Sequence, residues 1–492
     1  MTMKKIQTCF RLPFLVLGLL SGFLVSCHDQ LKEEVFSFVG ATNYWKTEAD
    51  ATAGVLGAYE SFLSSDYFGR FYFELTEMPA DFTTINRNDT YQQLDRWDLL
   101  ANHPFILQCW NIMYQQISRA NGVIQNVPNI TMDATKQKSI IAEAKFIRAF
   151  DFFNIVRLWG AAPMPLKVVE GVSTNQLPRS SVDSLYLQIE KDLKEAEVDL
   201  PVTRTGAEVG RVTSGAAKTL LAWVYLTQKK WTLASAKAQE VIASNQYRLL
   251  PKFDDVFSVS NKNNAETIFS IQFDGTTRGH ALSSYSNFGG TNNPYCFQGV
   301  NVYSVDPKSD IWTKWDVNEY RRNYTVYSSV RGKNGNTITV DANFPSFGKY
   351  RCPAEIGINN SFINPPVLRY PDALLIFAEA EAQAKGSPTA AAYDAINQVR
   401  RRAYNLPSNT PDATVDLKNL SLQEFTDAVI QERGYEFVME CHRIYDLLRT
   451  GTFKTKIQAI GKSAPRGNLY PIPQSELDAN TRIGINGQNP GY

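Results

Sequence analysis

The segment 135–159 constrains the fold more than any other stretch of the chain. At helical spacing, Ile140, Ala144, Ile147, Ile155 and Leu158 share one face, and Ala142, Phe146, Ala149, Phe153 and Val156 share the opposite one. A surface helix carries a single apolar stripe, so a helix apolar on two sides lies between neighbours, as in stacked helical layers. Gly160 and Pro163 end the segment.

Other stretches supply the neighbours. Helical patterns run over 48–64, 104–126 and 179–200, the last opened by Ser181 as a cap. Segments 213–227 and 232–245 form a helix pair joined by a tight turn. Ala222, Tyr225, Ala234, Ala238 and Val241 fall there at the spacing of a tetratricopeptide-type unit, in which small residues let helices cross closely. Helical order resumes at 370–385, with Gly386 as its stop, and at 388–404. A last long helix is expected over 422–449, followed by an extended, proline-punctuated tail to Tyr492. Residues 66–103 show no clear period, and 81–91 reads as a long loop.

Between 247 and 351 the pattern changes. Residues 267–273 alternate like a strand, and 330–340 reads as a hairpin turning at 332–336. Gly279, Gly289, Gly290, Asn292, Asn293 and Pro294 break what lies between. Aromatic residues are frequent here. Planar rings stack on the apolar faces of sugars or on peptide side chains, with Asn and Asp fixing polar orientation. On that ground Asn86, Asn88, Tyr91, Tyr285, Tyr295, Trp312, Trp315 and Tyr324 are the candidate ligand face. The alternative for each ring is that it packs a loop against the helices.

The N-terminus reads as an export signal. Lys4, Lys5 and Arg11 precede an apolar run from Leu12 to Val25 that is interrupted by Pro13, Gly18 and Gly22 and is short for a bilayer span. Its end, Leu24-Val25-Ser26-Cys27, resembles a bacterial lipobox, with cleavage before Cys27 and acylation of its thiol. An ordinary signal containing a chance cysteine is the alternative. The polar leader 28–34 suits a tether. Of the other cysteines, Cys109 and Cys441 lie among apolar residues on helical patterns, while Cys296 and Cys352 flank the aromatic region and could pair.

Catalytic and metal chemistry find little support. The 50 basic and 49 acidic residues balance to +1, which argues against a nucleic-acid binder. Gly461-Lys462-Ser463 lacks the first glycine of a phosphate loop, since position 456 is Lys. His28, His103, His280 and His442 do not cluster, and no G-x-S-x-G, H-E-x-x-H or C-x-x-C occurs. Glu432, Glu436 and Glu440, with Arg443, Asp446 and Arg449, follow i, i+4 spacing. They read as a helix-surface or inter-helix ion network with Arg369 and Arg400 to Arg402 as further partners, rather than as a general acid and base. No catalytic residue, metal site or cofactor is expected, and the chain does not read as an enzyme.

A resemblance sharpens this. Glu143-Ala144-Lys145-Phe146-Ile147-Arg148-Ala149, Phe152-Phe153 and Leu158-Trp159-Gly160 look like the SusD/RagB family of surface lipoproteins. So do Glu432-Arg433 through Glu436, Glu440 and Arg443 to Asp446-Leu447, and the tail motifs Tyr470-Pro471-Ile472-Pro473-Gln474-Ser475-Glu476 and Gln488-Asn489-Pro490-Gly491-Tyr492. Asn43-Tyr44-Trp45 and the lipobox complete the order. Where the family has Gly-x-Arg-Trp, this chain has Cys441-His442-Arg443-Ile444. The resemblance implies a mainly α, single helical body with four tetratricopeptide-like helix pairs, a loop-rich region and a few short strands. Its expected parts are a signal peptide over 1–26, a lipidated tether over 27–40 and one domain over 41–492. That domain divides into a helical part (41–250), a loop-rich ligand face (251–351) and a C-terminal helical part with the tail (352–492). The implied protein is held on the outer membrane by its lipid, facing the cell exterior. It captures an oligosaccharide or a peptide for a SusC-like TonB-dependent transporter, or serves as a scaffold of that transporter without a ligand.

Overall fold

The computed structural model describes residues 44–85, 87–168, 176–352, 356–463 and 465–492. The chain divides into two compact units, 1–46 and 47–492. In the first, the rings of Tyr44 and Trp45 meet edge to face at 4.8 Å. All that follows concerns the second.

In chain order its helices begin with α1 (Glu48–Glu60), α2 (Phe71–Glu77), α3 (Asp89–Asp95), α4 (Pro104–Asn126) and α5 (Ala134–Trp159). Next come α6 (Val182–Asp199), α7 (Ser214–Thr227), α8 (Trp231–Ala243), α9 (Leu282–Ser286), α10 (Asp310–Thr313) and α11 (Tyr320–Thr325). The C-terminal part holds α12 (Tyr370–Lys385), α13 (Ala390–Ala403), α14 (Leu422–Glu436), α15 (Arg443–Arg449), α16 (Phe453–Ala459) and α17 (Gln474–Ala479). The long helices pack in a continuous array: α4 on α5, α5 on α6, α6 on α7, α7 on α8, α8 on α12 and α12 on α13. Both apolar faces of α5 are closed, since none of the ten residues that define them exceeds 4% exposure. Side-chain caps fix the helix starts: Ser181 accepts from the Ser184 N–H at 3.2 Å, and Ser421 and Glu424 form a reciprocal pair at the head of α14.

The strands are short. One antiparallel sheet has the order β1 (Thr83–Ile85), β3 (Tyr303–Val305), β7 (Ser346–Phe347), β4 (Val326–Tyr327). β2 (Thr267–Ser270) pairs with β8 (Pro366–Arg369), and β5 (Ser329–Arg331) with β6 (Thr337–Thr339), the expected hairpin. The expected strand at 267–273 ends at Ser270, where the β2–β8 register shifts and the Phe273 N–H turns to the Asn364 side chain (3.0 Å).

Three expectations fail. The stretch 66–103 is not aperiodic coil: α2, β1 and α3 lie in it, and every residue of α2 is buried, so no polar face advertises the helix in sequence. The tail is not simply extended, since α16 and α17 interrupt it. The helix expected over 422–449 breaks into α14 and α15 around a link in which Met439 (φ 61°) and Cys441 (φ 62°) are left-handed. Buried charges claim the backbone groups that a continuing helix would pair. The Lys349 ammonium donates to the carbonyls of Glu436 and Val438 (both 2.8 Å), Arg369 donates to the Glu436 carbonyl (2.7 Å), and the Cys441 N–H donates to Glu77 (2.5 Å).

The break carries the ion network inward. Arg369 bonds Glu436, Glu266 (2.9 Å) and Glu440 (2.7 Å), Arg402 bonds Glu436 and Glu266 (2.8 Å), and Arg321 bonds Glu319 (2.6 Å), Glu432 (2.7 Å) and Glu436 (2.5 Å). Burial alone would raise Glu436, but Arg402, Arg369 and Arg321 outweigh it and hold the carboxyl well below its usual range. The network joins helices and loops in the interior and is not a helix-surface ladder. Arg369, Arg400 and Arg402 were legible as partners, whereas Arg321, Lys349 and Glu266 come from the loop-rich part.

Candidate functional site

The sheet β1-β3-β7-β4 brings distant aromatic segments together. Asn88 and Tyr91 follow β1, the latter within α3, Tyr285 sits on α9 just before β3, and Tyr327 on β4 touches the ring of Tyr295 at 5.2 Å. Each segment is too short to hold its side chains alone, so the sheet sets their spacing.

At the β1 end, Arg70 is the centre. Its guanidinium lies 5.1 Å from the ring centre of Tyr285 and 5.7 Å from that of Tyr91, and it donates to the Tyr91 hydroxyl. The rings of Phe71 and Phe105, stacked at 4.5 Å, floor the cluster. Behind it Glu74, fully buried, accepts from Arg70 Nε at 2.8 Å. Burial pushes the Glu74 carboxyl up to about 7 against the pull of Arg70. Gly69 permits this turn, because a Cβ there would lie 2.7 Å from the Ser64 carbonyl oxygen. Arg70, Tyr91 and Tyr285 are all partly exposed, and Asn88 is exposed with no side-chain cap bond. The cluster offers phenol rings, hydroxyls and a guanidinium in one place. A guanidinium can pair two adjacent hydroxyls while a ring covers an apolar sugar face.

At the other end, Arg351 lies 3.8 Å from the ring centres of both Tyr295 and Tyr324 and is fixed by the carbonyls of Gly348 and Tyr324 (both 2.9 Å). Tyr295 is half-buried. Tyr324 is 9% exposed, and burial pushes its hydroxyl up to about 12. Trp312 is partly exposed, with Arg322 5.5 Å from its ring. Trp315 is different: it is 3% exposed and stacks on Tyr435 at 4.5 Å with planes 3° apart. Trp315 therefore packs a loop against the helical body, and Tyr324 is closed by Arg351 and Phe253 within the loop-rich part, so neither offers an open ring. Asn86 and Cys27 lie outside the described residues.

Sequence reasoning missed Arg70 and Arg351. Neither stands in a motif, and each matters only through rings that other segments bring to it. A cavity of about 600 Å³ lies elsewhere, among α7, α8, α12 and α14 to α16, with Trp231, Gln383, Asp427 and Lys456 in its wall. Three histidines are engaged structurally: His103 bonds the Thr90 carbonyl (3.0 Å), His280 bonds the Ile363 carbonyl (2.7 Å), and His442 bonds Asp372 (3.0 Å) between the rings of Trp223 and Phe437. Among the described residues no group of three His, Cys, Asp or Glu could hold a metal ion, and no helix is long and apolar enough to cross a membrane.

The model of the SusD family matches residues 269–492, and one described as starch-binding associating with outer membrane matches 50–226. SusD-like protein P25 of Formosa agariphila is 27% identical over 549 residues, covering 99% of this chain and all of the relative. A SusD homologue from Bacteroides thetaiotaomicron superposes with a TM-score of 0.80 at 23% identity, over 92% of this chain and 98% of its own. A laminarin-binding SusD-like protein superposes with a TM-score of 0.76 at 26% identity, over 91% of this chain and all of its own.

Proposed function

The chain belongs to the SusD/RagB family, and from that premise we propose that it is a non-catalytic surface lipoprotein that binds an oligosaccharide. It delivers the ligand to a SusC-like TonB-dependent transporter in the outer membrane. The observation that carries the binding role is the partly exposed cluster of Tyr91 and Tyr285 about Arg70, on segments nearly two hundred residues apart in the chain. A carbohydrate ligand is further supported by the laminarin-binding relative and by the starch-binding description of the family matched over 50–226. The lipobox at Cys27 supports the anchoring.

Tyr295 and Trp312 extend the surface, and Asn88 adds an amide beside Tyr91. The buried Glu74 holds Arg70 in place, so the guanidinium meets a ligand already oriented. Orienting groups before binding lowers the entropy cost of association.

Calorimetry with laminarin and starch oligosaccharides tests this reading. Loss of one ring contact and its hydroxyl bond is worth roughly 1–3 kcal/mol. Tyr91→Ala and Tyr285→Ala should therefore weaken binding by about 5- to 150-fold. Unchanged affinity in both variants would move the site elsewhere, and absence of binding to any saccharide would overturn the reading.

A further inference from the structure

Cys296 and Cys352 occupy paired positions of an isolated parallel bridge. Both carry thiols and both are buried, at 3% and 1% exposure. Adjacent strands lie about 4.8 Å apart, within the roughly 4.4–6.8 Å between Cα atoms that a disulfide spans. Paired residues also send their side chains to the same side of the ladder. The residues just before them already meet: the Arg351 guanidinium covers the ring of Tyr295 at 3.8 Å.

The surrounding chain holds this register. Phe288 and Val300 pair across the loop that carries Tyr295 and Cys296, and Gly289 and Gly299 approach so closely that a Cβ on Gly289 would lie 2.3 Å from the Gly299 nitrogen. The second strand of the bridge is tied to the body by Tyr350, whose hydroxyl donates to the Met439 carbonyl at 3.1 Å. The loop end and the body end of the bridge are thus both fixed, with the two cysteines at paired positions between them.

We propose that Cys296 and Cys352 form a structural disulfide in the exported protein, which fixes the Tyr295 loop to the segment that presents Arg351. The bond forms by thiol–disulfide exchange. One thiol loses its proton and attacks a sulfur of a donor disulfide, either a dithiol oxidoreductase or a small-molecule disulfide, and the donor's first thiolate leaves. The other cysteine, deprotonated in turn, attacks the mixed disulfide and expels the donor's second thiolate. Two protein thiols are oxidised, one donor disulfide is reduced to two thiols, and the two protons pass to the departing thiolates.

Burial, with the nearby Cys352, pushes the Cys296 thiol up to about 11, so little of it is reactive thiolate in the folded chain at neutral pH. The cross-link therefore belongs to folding in an oxidising compartment, before the loop closes. Cys109, inside α4, and Cys441, in the link before α15, stand in other parts of the fold and stay reduced.

The lipid-free chain from His28 to Tyr492 holds these four cysteines. It can be refolded with oxidised glutathione as the donor, denatured without reductant and alkylated. The expected result is a mass lower by two hydrogen atoms, alkylation of Cys109 and Cys441 alone, and a linked peptide joining Cys296 to Cys352. Refolding Cys296→Ser should expose Cys352 to alkylation and abolish the linked peptide. Four alkylated thiols in the wild-type chain would overturn the proposal. So would a glutathione adduct in place of the internal link, or a link from either residue to Cys109 or Cys441. The result does not depend on any saccharide, so it stands or falls apart from the binding reading.

Discussion

The side-chain amide of Asn489 donates to the Trp159 carbonyl at 2.9 Å across 330 residues of chain. The same amide donates to the Tyr470 carbonyl (2.7 Å), while Arg179 donates to the Asn489 oxygen (2.6 Å) and Trp159 Nε1 to the Pro471 carbonyl (3.1 Å). Gln488 closes the joint, donating to the Ile472 carbonyl (2.9 Å) and accepting from its N–H (2.7 Å). The tail thus finishes the end of α5, which Gly160 leaves with open carbonyls.

Asn489→Ala should lower stability without touching the aromatic face. It strands the Tyr470 carbonyl and leaves the Trp159 carbonyl and Arg179 Nη2 only their long 3.4 Å bond to each other, a buried group left unpaired costing roughly 1–3 kcal/mol. A loss of about 2–4 kcal/mol is expected in urea denaturation, with saccharide affinity unchanged in the folded protein. A loss below 0.5 kcal/mol, on the order of an ordinary surface substitution, would show that the joint is not structural.

The ion network makes a second case. Arg369 is 1% exposed and bonds three carboxylates, so Arg369→Met leaves Glu436, Glu440 and Glu266 buried with less compensation. Removing one partner of a buried pair costs about 3–5 kcal/mol, mostly through the charges left behind. Denaturation should read a loss of that size. A near-neutral outcome would mean that the carboxylates take up protons or recruit Arg402 and Arg321 instead.

Much of the helical array was legible because its signal is local. Period, caps and stops gave α4 to α8, α12 and α13 to within a few residues, and the two-faced pattern of α5 announced burial. What was not legible depends on partners far along the chain. α2 is apolar and charged on all sides because it is buried on all sides, Glu74 and Glu77 included. The break before α15 is set by Lys349 and Arg369, which no window around 437–442 contains. At the candidate site the rings of Tyr91 and Tyr285 could be nominated as types, but only the sheet makes them neighbours. Burial of Trp315 turns on Tyr435, 120 positions away.

Trp312 and Trp315 separate ligand contact from packing. Trp315→Ala removes a ring stacked on Tyr435 and should cost about 3–5 kcal/mol of stability with little change in affinity. Trp312→Ala should do the reverse, weakening oligosaccharide binding by severalfold with stability nearly unchanged. Thermal denaturation and calorimetry on the same two variants check this. Equal effects of both variants on both measurements would erase the distinction.

The anchor can be tested apart from the site. Cys27→Ala should release the protein from the cell surface, because without acyl chains little apolar surface remains to hold it there. Affinity of the released protein should match that of the wild type. Fractionation followed by calorimetry reads both, and retention on the membrane would assign the anchor to something other than Cys27.

His280 gives stability a pH dependence whose sign follows from its bonds. The Leu282 N–H donates to Nδ1 at 3.1 Å, so Nε2 carries the hydrogen given to the Ile363 carbonyl at 2.7 Å, and the ring is neutral. It faces the Phe273 ring at 4.8 Å, and Lys262 is the cation in its field. Burial, reinforced by Lys262 and opposed by the Ile363 carbonyl, pushes it from 6.5 down to about 4. The unfolded chain therefore takes up a proton below pH 6.5 that the folded chain refuses until about 4. The stabilising term is complete above 6.5 and is lost as pH falls through that window, roughly 3 kcal/mol in all. Glu74 and Glu77, which burial pushes up to about 7, act with the opposite sign: the folded chain holds their protons where the unfolded chain has released them, so acidification favours folding. The absolute slope between about pH 7 and 5 mixes these groups with others that burial shifts, His103 downward and Asp151 upward among them, but the difference between wild type and His280→Gln isolates the histidine. Over that interval the wild type should lose about 2 kcal/mol relative to the variant. Parallel stability curves for the two proteins would mean that His280 titrates normally and is not held neutral by its two bonds.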